Sequence, residues 1–111
     1  MPKQKIILKG ISESAGIVKG KARIILDPFD NSKMKKGDIL VTSITNPLFT
    51  PAIIKASGII TDLGGTLSHS AVVARELGIP CVVGTKRATK ILKDNQKIKV
   101  DGEKGTIYQD N

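Results

Sequence analysis

Short apolar runs, separated by glycine and polar residues, divide the chain into many small elements. These runs predict strands over residues 6–8, 21–26, 38–41, 59–61 and 79–83. Two further strands are predicted at residues 97–100 and 106–108, on either side of a glycine-containing turn at 101–105. The segments without such a run are interpreted as irregular or as loops; they cover residues 10–20, 31–37 and 42–49.

Three segments predict helices. A threonine followed by proline predicts a capped helix over residues 51–57, which ends at Gly58. A second helix is predicted between the Gly-Gly pair at 64–65 and Gly78, because its apolar residues fall near one face and Gly78 suits a left-handed cap. A short third helix is predicted over residues 88–93.

The order of these elements predicts an α/β fold. Between residues 59 and 83 the chain runs strand, glycine turn, helix, strand, which is an α/β unit. The other short strands predict a second, mostly β layer, with helices on one side of the β core. A length of 111 residues corresponds to one domain, residues 1–111.

Composition excludes several classes of protein. Forty per cent hydrophobic and 25% charged residues is a balance typical of globular proteins. No apolar run approaches the roughly 20 residues of a membrane-spanning helix, and none has signal-peptide length. One cysteine and one histidine exclude an internal disulfide and a local zinc cage. We therefore expect a cytoplasmic protein that binds neither a membrane nor a metal ion.

The charge points to anionic partners. Eighteen Lys and Arg against ten Asp and Glu give a net charge of +8, which attracts phosphates, nucleic acids or acidic protein surfaces. Most of these cations are lysines, and aromatic residues make up only 3% of the chain, which disfavours base recognition and base stacking. Nucleic acid is therefore not the expected partner. A basic module that binds RNA or protein stays open as an alternative function.

The candidate chemistry centres on His69, the only histidine. It lies in the first turn of the predicted helix, where unpaired amide groups and the helix dipole favour an anion. Imidazole is largely neutral at neutral pH and is therefore nucleophilic. Such a ring beside backbone donors suits a covalent phosphoryl acceptor, although a surface or capping histidine is the alternative. The residues expected to position phosphate are Gly64, Gly65, Thr66, Ser68 as N-cap, and Ser70.

Residues 64–84, Gly-Gly-Thr-Leu-Ser-His-Ser-Ala-Val-Val-Ala-Arg-Glu-Leu-Gly-Ile-Pro-Cys-Val-Val-Gly, resemble the phosphohistidine motif of the phosphoenolpyruvate-utilising enzymes. These include phosphoenolpyruvate synthase, pyruvate phosphate dikinase, enzyme I of the sugar phosphotransferase system and rifampicin phosphotransferase. Segments 10–22, 36–42 and 101–108 resemble other parts of the same domain, so the similarity covers nearly the whole chain. The resemblance implies a compact three-layer swivelling β/β/α domain.

The resemblance also implies a phosphoryl carrier. By the motif match, His69 is the phosphorylated residue, and Arg75 joins Gly64 and Gly65 as a phosphate-positioning residue. ATP and Mg²⁺ are expected on an ATP-grasp partner domain or subunit, with no cofactor bound by this chain. A second partner holds the acceptor, of phosphoenolpyruvate/pyruvate type or another kind. The domain is thus expected to be part of a phosphotransferase system and to be too small for the full reaction; a regulatory subunit is a further alternative.

Three residues around the motif leave questions open. Leu67 occupies a position where many family members have threonine. An aliphatic residue there resembles the rifampicin phosphotransferase and related dikinase branches more than enzyme I. Arg75 follows His69 by roughly 600° of helix rotation, so it either contacts a partner's phosphates or pairs with an acid of this domain. Asp62 either orients the imidazole or caps a turn. Cys81, in an apolar run, is expected to be a small buried residue.

Overall fold

The computed structural model describes residues 4–110. Among them the α-helices are α1 (Thr50–Lys55), α2 (His69–Leu77) and α3 (Ala88–Ile91), and two 3-10 helices cover Pro28–Lys33 and Pro47–Phe49. The strands are β1 (Ile6–Lys9), β2 (Ile11–Ser14), β3 (Ile17–Ile24), β4 (Ile39–Thr42), β5 (Gly58–Thr61), β6 (Cys81–Val83), β7 (Lys97–Asp101) and β8 (Thr106–Gln109). No helix in this part of the chain has the length and apolar character needed to cross a membrane.

The strands form one mixed sheet in the order β1-β8-β7-β3-β4-β5-β6-β2. Strands β3, β4, β5 and β6 run parallel to one another. Strands β1, β8 and β7 continue the sheet beyond β3 in antiparallel pairs, and β2 pairs antiparallel with β6 at the other edge. The long strand β3 thus joins an antiparallel part of the sheet to a parallel part.

The structure has three layers, separated by two hydrophobic cores. The antiparallel and parallel parts of the sheet form two of these layers, and the helices form the third. The first core places Leu8, Ile98, Val100 and Ile107 of the antiparallel part against Ile39, Val41, Ile60 and Val82 of the parallel part. The second core places alternate residues of the parallel strands, such as Leu40 and Ile59, against Ala52 and Ile53 of α1 and Ala74 of α2. Side chains alternate between faces along a strand, so the parallel strands serve both cores. The predicted three-layer β/β/α architecture is confirmed.

In two segments the sequence-based prediction gives the wrong kind of element. Residues 10–20, predicted to be irregular, form β2 and the first half of β3. Their exposed positions include Ile11 and Ile17 as well as lysines, and polar residues and glycine interrupt the apolar ones, so no apolar run marks them. Residues 28–33, partly predicted as a loop, form a 3-10 helix that Asp27 caps by accepting from the Phe29 amide.

Helix α1 begins and ends earlier than predicted. It starts at Thr50, and the Thr50 hydroxyl donates to the Pro47 carbonyl rather than capping the helix. Its last residue is Lys55, two residues short of the prediction. Helix α1 has no side-chain cap; the Asn46 side chain instead caps the preceding 3-10 helix by accepting from the Leu48 amide.

The carboxyl ends of the parallel strands form the edge of the sheet where α2 begins. Backbone hydrogen bonds join the loops that leave β4, β5 and β6: the Leu63 amide donates to Ser43, and the Lys86 amide donates to Asp62. In open α/β sheets, ligands bind at this edge of the strands. The edge therefore brings the loop after β4 next to the start of α2.

Candidate functional site

The N-terminus of α2 is built as the sequence predicts. Ser68 is the N-cap, and its side chain accepts from the Ala71 amide at 3.4 Å. Gly78 ends the helix in the left-handed conformation, with φ of 70°. Four residues before the cap, Gly64 has φ of +117°, and a Cβ there would lie 3.1 Å from the Ser68 hydroxyl oxygen. Glycine is therefore required at 64, whereas Gly65 lacks a positive φ and has open space around it.

His69 is the first residue of α2, and its ring is half-buried. Its Nδ1 atom lies 2.8 Å from the Oγ1 atom of Thr45, and the same Oγ1 lies 2.5 Å from the Ser70 hydroxyl oxygen. Thr45 and Ser70 are both buried. A hydroxyl relay of Ser70 and Thr45 therefore holds one nitrogen of the imidazole, and the ring's other nitrogen, Nε2, has no hydrogen-bond partner within residues 4–110.

The direction of this relay determines the chemistry of the ring. A neutral imidazole has one protonated nitrogen and one nitrogen with a free electron pair. When Nδ1–H donates to Thr45 and the Thr45 hydroxyl donates to Ser70, the electron pair lies on Nε2. The relay accommodates this tautomer with every hydrogen bond formed. His69 can then act as a nucleophile through Nε2 without losing the contact that orients it.

Arg75 lies at the other end of α2 and ties the motif loop to β2. Its guanidinium donates to the Glu13 carboxylate at 3.1 Å and to the carbonyl oxygen of Thr66 at 2.8 Å. The Thr66 hydroxyl also donates to the Glu13 carboxylate, at 3.0 Å. Of the two alternatives for Arg75, the structure shows the ion pair within the domain. The Glu13 carboxylate is nearly buried, so this pair fixes the loop that leads into His69.

The hydroxyls of Thr66 and Ser68, which were expected to position phosphate, hydrogen-bond to groups other than the His69 ring. The Thr66 side chain contacts Glu13, and the Ser68 side chain caps the helix. The hydroxyl that contacts the ring belongs to Thr45, which sequence analysis did not single out. The place of Thr45 in the loop after β4 could nevertheless have indicated that it lies near His69, because the carboxyl ends of neighbouring parallel strands meet at one edge of the sheet. Glu13 gave no such signal, since its strand was predicted to be irregular.

Of the two roles left open for Asp62, orienting the imidazole or capping a turn, the structure shows a capping role, and the element that it caps is α3. Its carboxylate accepts from the Thr89 amide at 3.0 Å and from the Thr89 hydroxyl at 2.5 Å, in the first turn of α3. Asp62 does not hydrogen-bond to His69. Its side chain instead anchors α3 to the loop after β5.

Cys81 is buried beneath α2, as predicted. Burial raises the pKa of its thiol to about 12, and the negative charge of Glu13 acts in the same direction against the smaller opposite effect of Arg75. The thiol is therefore protonated at neutral pH and is not a nucleophile. Within residues 4–110, no three His, Cys, Asp or Glu side chains are grouped so that they could hold a metal ion.

The rim of the site is apolar. The Leu67 side chain is 90% exposed two residues before His69, and Ile44 and Leu63 are exposed on the loops after β4 and β5. Leu67 provides no hydroxyl to the ring. The site therefore presents one imidazole nitrogen at a helix N-terminus with an apolar margin around it.

Comparison with known proteins identifies the family. The family model for the mobile domain of PEP-utilising enzymes matches residues 34–105, which include the α2 motif and the strands around it. The chain belongs to this family. The mobile domain is thus the unit that carries His69, and the fold and motif resemblance inferred from the sequence are confirmed.

Relatives of the mobile domain are much longer proteins. This chain is 52% identical over 105 residues to a probable phosphoenolpyruvate synthase of Archaeoglobus fulgidus, and the match covers 95% of this chain and 14% of that protein. It is 44% identical over 107 residues to the rifampicin phosphotransferase of Bacillus cereus, covering 96% of this chain and 12% of that protein. The chain therefore spans about one seventh of the length of such relatives.

A solved structure shares the fold. The solution structure of an Enzyme I protein superimposes with a TM-score of 0.63 and 29% identity, over 74% of this chain and 34% of that one. The identities to phosphoenolpyruvate synthase and rifampicin phosphotransferase, 52% and 44%, are higher than this value.

Proposed function

We propose that this mobile domain is a phosphoryl carrier that is transiently phosphorylated on Nε2 of His69. The observation that carries the proposal is the relay in which Thr45 and Ser70 hold Nδ1 at the start of α2. This arrangement presents Nε2 to a donor beside amide groups that have no intrahelical acceptor. Helix N-termini bind phosphate through such amides and through the helix dipole.

The transfer itself needs little from the chain beyond positioning. The Nε2 electron pair attacks the phosphorus of the donor, the P–N bond forms, and the bond from phosphorus to the leaving oxygen breaks with its electrons on that oxygen. Nδ1 keeps its proton, which it donates to Thr45 throughout. In the second step an acceptor oxygen attacks the phosphorus, and the electrons of the P–N bond return to Nε2. Orientation of the reacting atoms is the main catalytic contribution available here.

The partners follow from the same proposal. Because the chain spans about one seventh of its relatives, the donor and acceptor sites belong to other domains or subunits. We propose an ATP-grasp site that holds ATP and Mg²⁺ as the donor, and a site of phosphoenolpyruvate/pyruvate type as the acceptor. The exposed Leu67 and the open helix start allow either site to approach His69.

A transfer experiment tests this function directly. The chain is incubated with ATP, Mg²⁺ and a phosphoenolpyruvate synthase from which the equivalent domain has been deleted, and in parallel with phosphoramidate as a partner-independent donor. We expect intact-mass analysis to show one added phosphate that is labile in acid and stable in base, and that pyruvate plus the synthase removes. An unmodified chain with both donors, under conditions in which the intact synthase is active, would contradict the proposal.

A further inference from the structure

The outer face of the antiparallel layer carries lysines in facing pairs. Lys19 on β3 lies directly opposite Lys99 on β7, and Lys21 lies opposite Lys97. Residues that alternate with these lysines along the strands, Val18, Ile98 and Val100, pack in the first core. Because side chains alternate along a strand, all four lysines share the outward face. We call these four residues the lysine face.

Charge repulsion within the lysine face lowers the stability of the sheet. Directly opposite residues of an antiparallel pair have Cα atoms roughly 4.5–5.5 Å apart, and like charges at that spacing destabilise the pair. Among residues 4–110, the only ion pair to this face is a long one, 3.8 Å from the Lys19 Nζ atom to Asp110. Lys99 lies over the Tyr108 ring, 4.7 Å from its centre, and also contacts Gln4. Fold stability therefore does not account for two facing lysine pairs.

We propose that the lysine face is a docking surface for an acidic protein surface. Charge complementarity identifies the partner: four ammonium groups in two rows attract carboxylates, as the Asp110 contact illustrates within the chain. The rows are two residues apart along each strand, roughly 6.8 Å, and acidic residues four apart on a helix lie about 6 Å apart along its axis. An acidic helix face matches this spacing.

The composition of the face favours protein over nucleic acid. It contains no arginine, the residue suited to bidentate contacts with bases and phosphates. Tyr108, its neighbouring aromatic side chain, lies beneath Lys99, so it offers no open ring for base stacking. The partner is therefore expected to be an acidic polypeptide, and nucleic acid becomes an outcome of the test.

Docking at the lysine face would leave the phosphoryl site free. The face lies on the outer side of the antiparallel layer, whereas α2 with His69 packs on the far side of the parallel strands. An acidic surface could therefore hold the domain while His69 meets its donor. The proposal rests on the lysines and not on phosphorylation, so either can fail alone.

The test compares two variants of equal charge. In the first, Lys19, Lys21, Lys97 and Lys99 are changed to glutamine; in the control, the exposed Lys35, Lys36, Lys55 and Lys90 are changed instead. Binding of the full chain to fluorescent poly-L-glutamate is measured by anisotropy across a salt series. We expect the first variant to lose about 10-fold in affinity and the control to lose less than about 3-fold, since each exposed pair contributes only a little.

Three results would overturn the proposal. Equal weakening of both variants would assign the binding to net charge alone. Absence of binding at low salt by a folded wild-type chain would remove the surface. Tighter binding of polyuridine than of poly-L-glutamate, lost in the first variant, would assign the lysine face to nucleic acid.

A single substitution separates docking from folding. Lys21→Glu places a carboxylate opposite Lys97, so we expect the midpoint of thermal unfolding to rise by about 1–5 °C while poly-L-glutamate affinity falls. Circular dichroism and anisotropy measure the two effects on the same sample. A lower midpoint, or unchanged affinity in the more stable protein, would contradict the proposal.

Discussion

Replacing His69 with glutamine is expected to abolish phosphorylation of the chain. Glutamine keeps a polar side chain that can hydrogen-bond to Thr45, but it has no nitrogen with a free electron pair that can attack phosphorus. Because His69 is the only histidine, no other imidazole can replace it. Intact-mass analysis after treatment with phosphoramidate, and after treatment with the donor enzyme and ATP, measures the loss.

The control for this prediction is the fold of the variant. His69 is half-buried at the start of α2 and takes no part in either hydrophobic core. The midpoint of thermal unfolding of His69→Gln should therefore lie within a few degrees of the wild-type value. A folded variant that still gains an acid-labile phosphate would show that another residue is the acceptor.

Replacing Thr45 with valine is expected to slow phosphorylation by about 10-fold to 100-fold, since a misplaced reacting group costs that much. Valine has nearly the shape of threonine but cannot accept from Nδ1 of His69. Without that contact, the ring loses its fixed orientation and the hydrogen-bond acceptor for a proton on Nδ1. The rate of label incorporation from the donor enzyme, measured at saturating ATP, gives the effect.

Two matched variants test whether Thr45 acts through the ring. Thr45→Ser keeps the hydroxyl and should restore most of the rate. Ser70→Ala removes the other end of the relay, so it should lower the free energy of unfolding by about 1 kcal/mol but leave the Thr45 contact and most of the rate. A Thr45→Ser rate as low as that of Thr45→Val would show that the Thr45 hydroxyl does not orient the ring and would reduce the role of Thr45 to general packing.

Local signals were sufficient to predict the helix that carries the site. The cap at Ser68, the left-handed Gly78 and the apolar spacing between them depend on residues close together in sequence, and the structure confirms each. The same holds for the buried Cys81 and for the parallel strands around it. Where neighbours in the chain determine the conformation, composition and spacing predict it.

Contacts between distant segments explain what the sequence did not reveal. Thr45 reaches His69 across 24 positions, and Glu13 reaches Arg75 across 62. No local pattern encodes either contact, because each depends on the order of strands in the sheet. The lysine face is similar: Lys19 and Lys99 are remote in sequence, and only the antiparallel pairing of β3 with β7 makes them neighbours.

The Arg75 network also changes how the motif is understood. Arg75 is predicted from the family motif to position phosphate, and in this structure it holds Glu13 and Thr66. By fixing the loop from Gly64 to Ser68, the ion pair supports the N-terminus of α2. A direct contact between Arg75 and a bound phosphoryl group stays a prediction.

The most direct test of the central claim is to identify the phosphorylated nitrogen. The chain is labelled with ¹⁵N in histidine and phosphorylated by the donor enzyme, and the ring nitrogens are then assigned by NMR from their coupling to the ring protons and to phosphorus. We expect phosphorus on Nε2 of His69 and a proton on Nδ1 that is lost from the spectrum in Thr45→Val. Phosphorus on Nδ1, the atom that Thr45 holds, or on a residue other than His69, would contradict it.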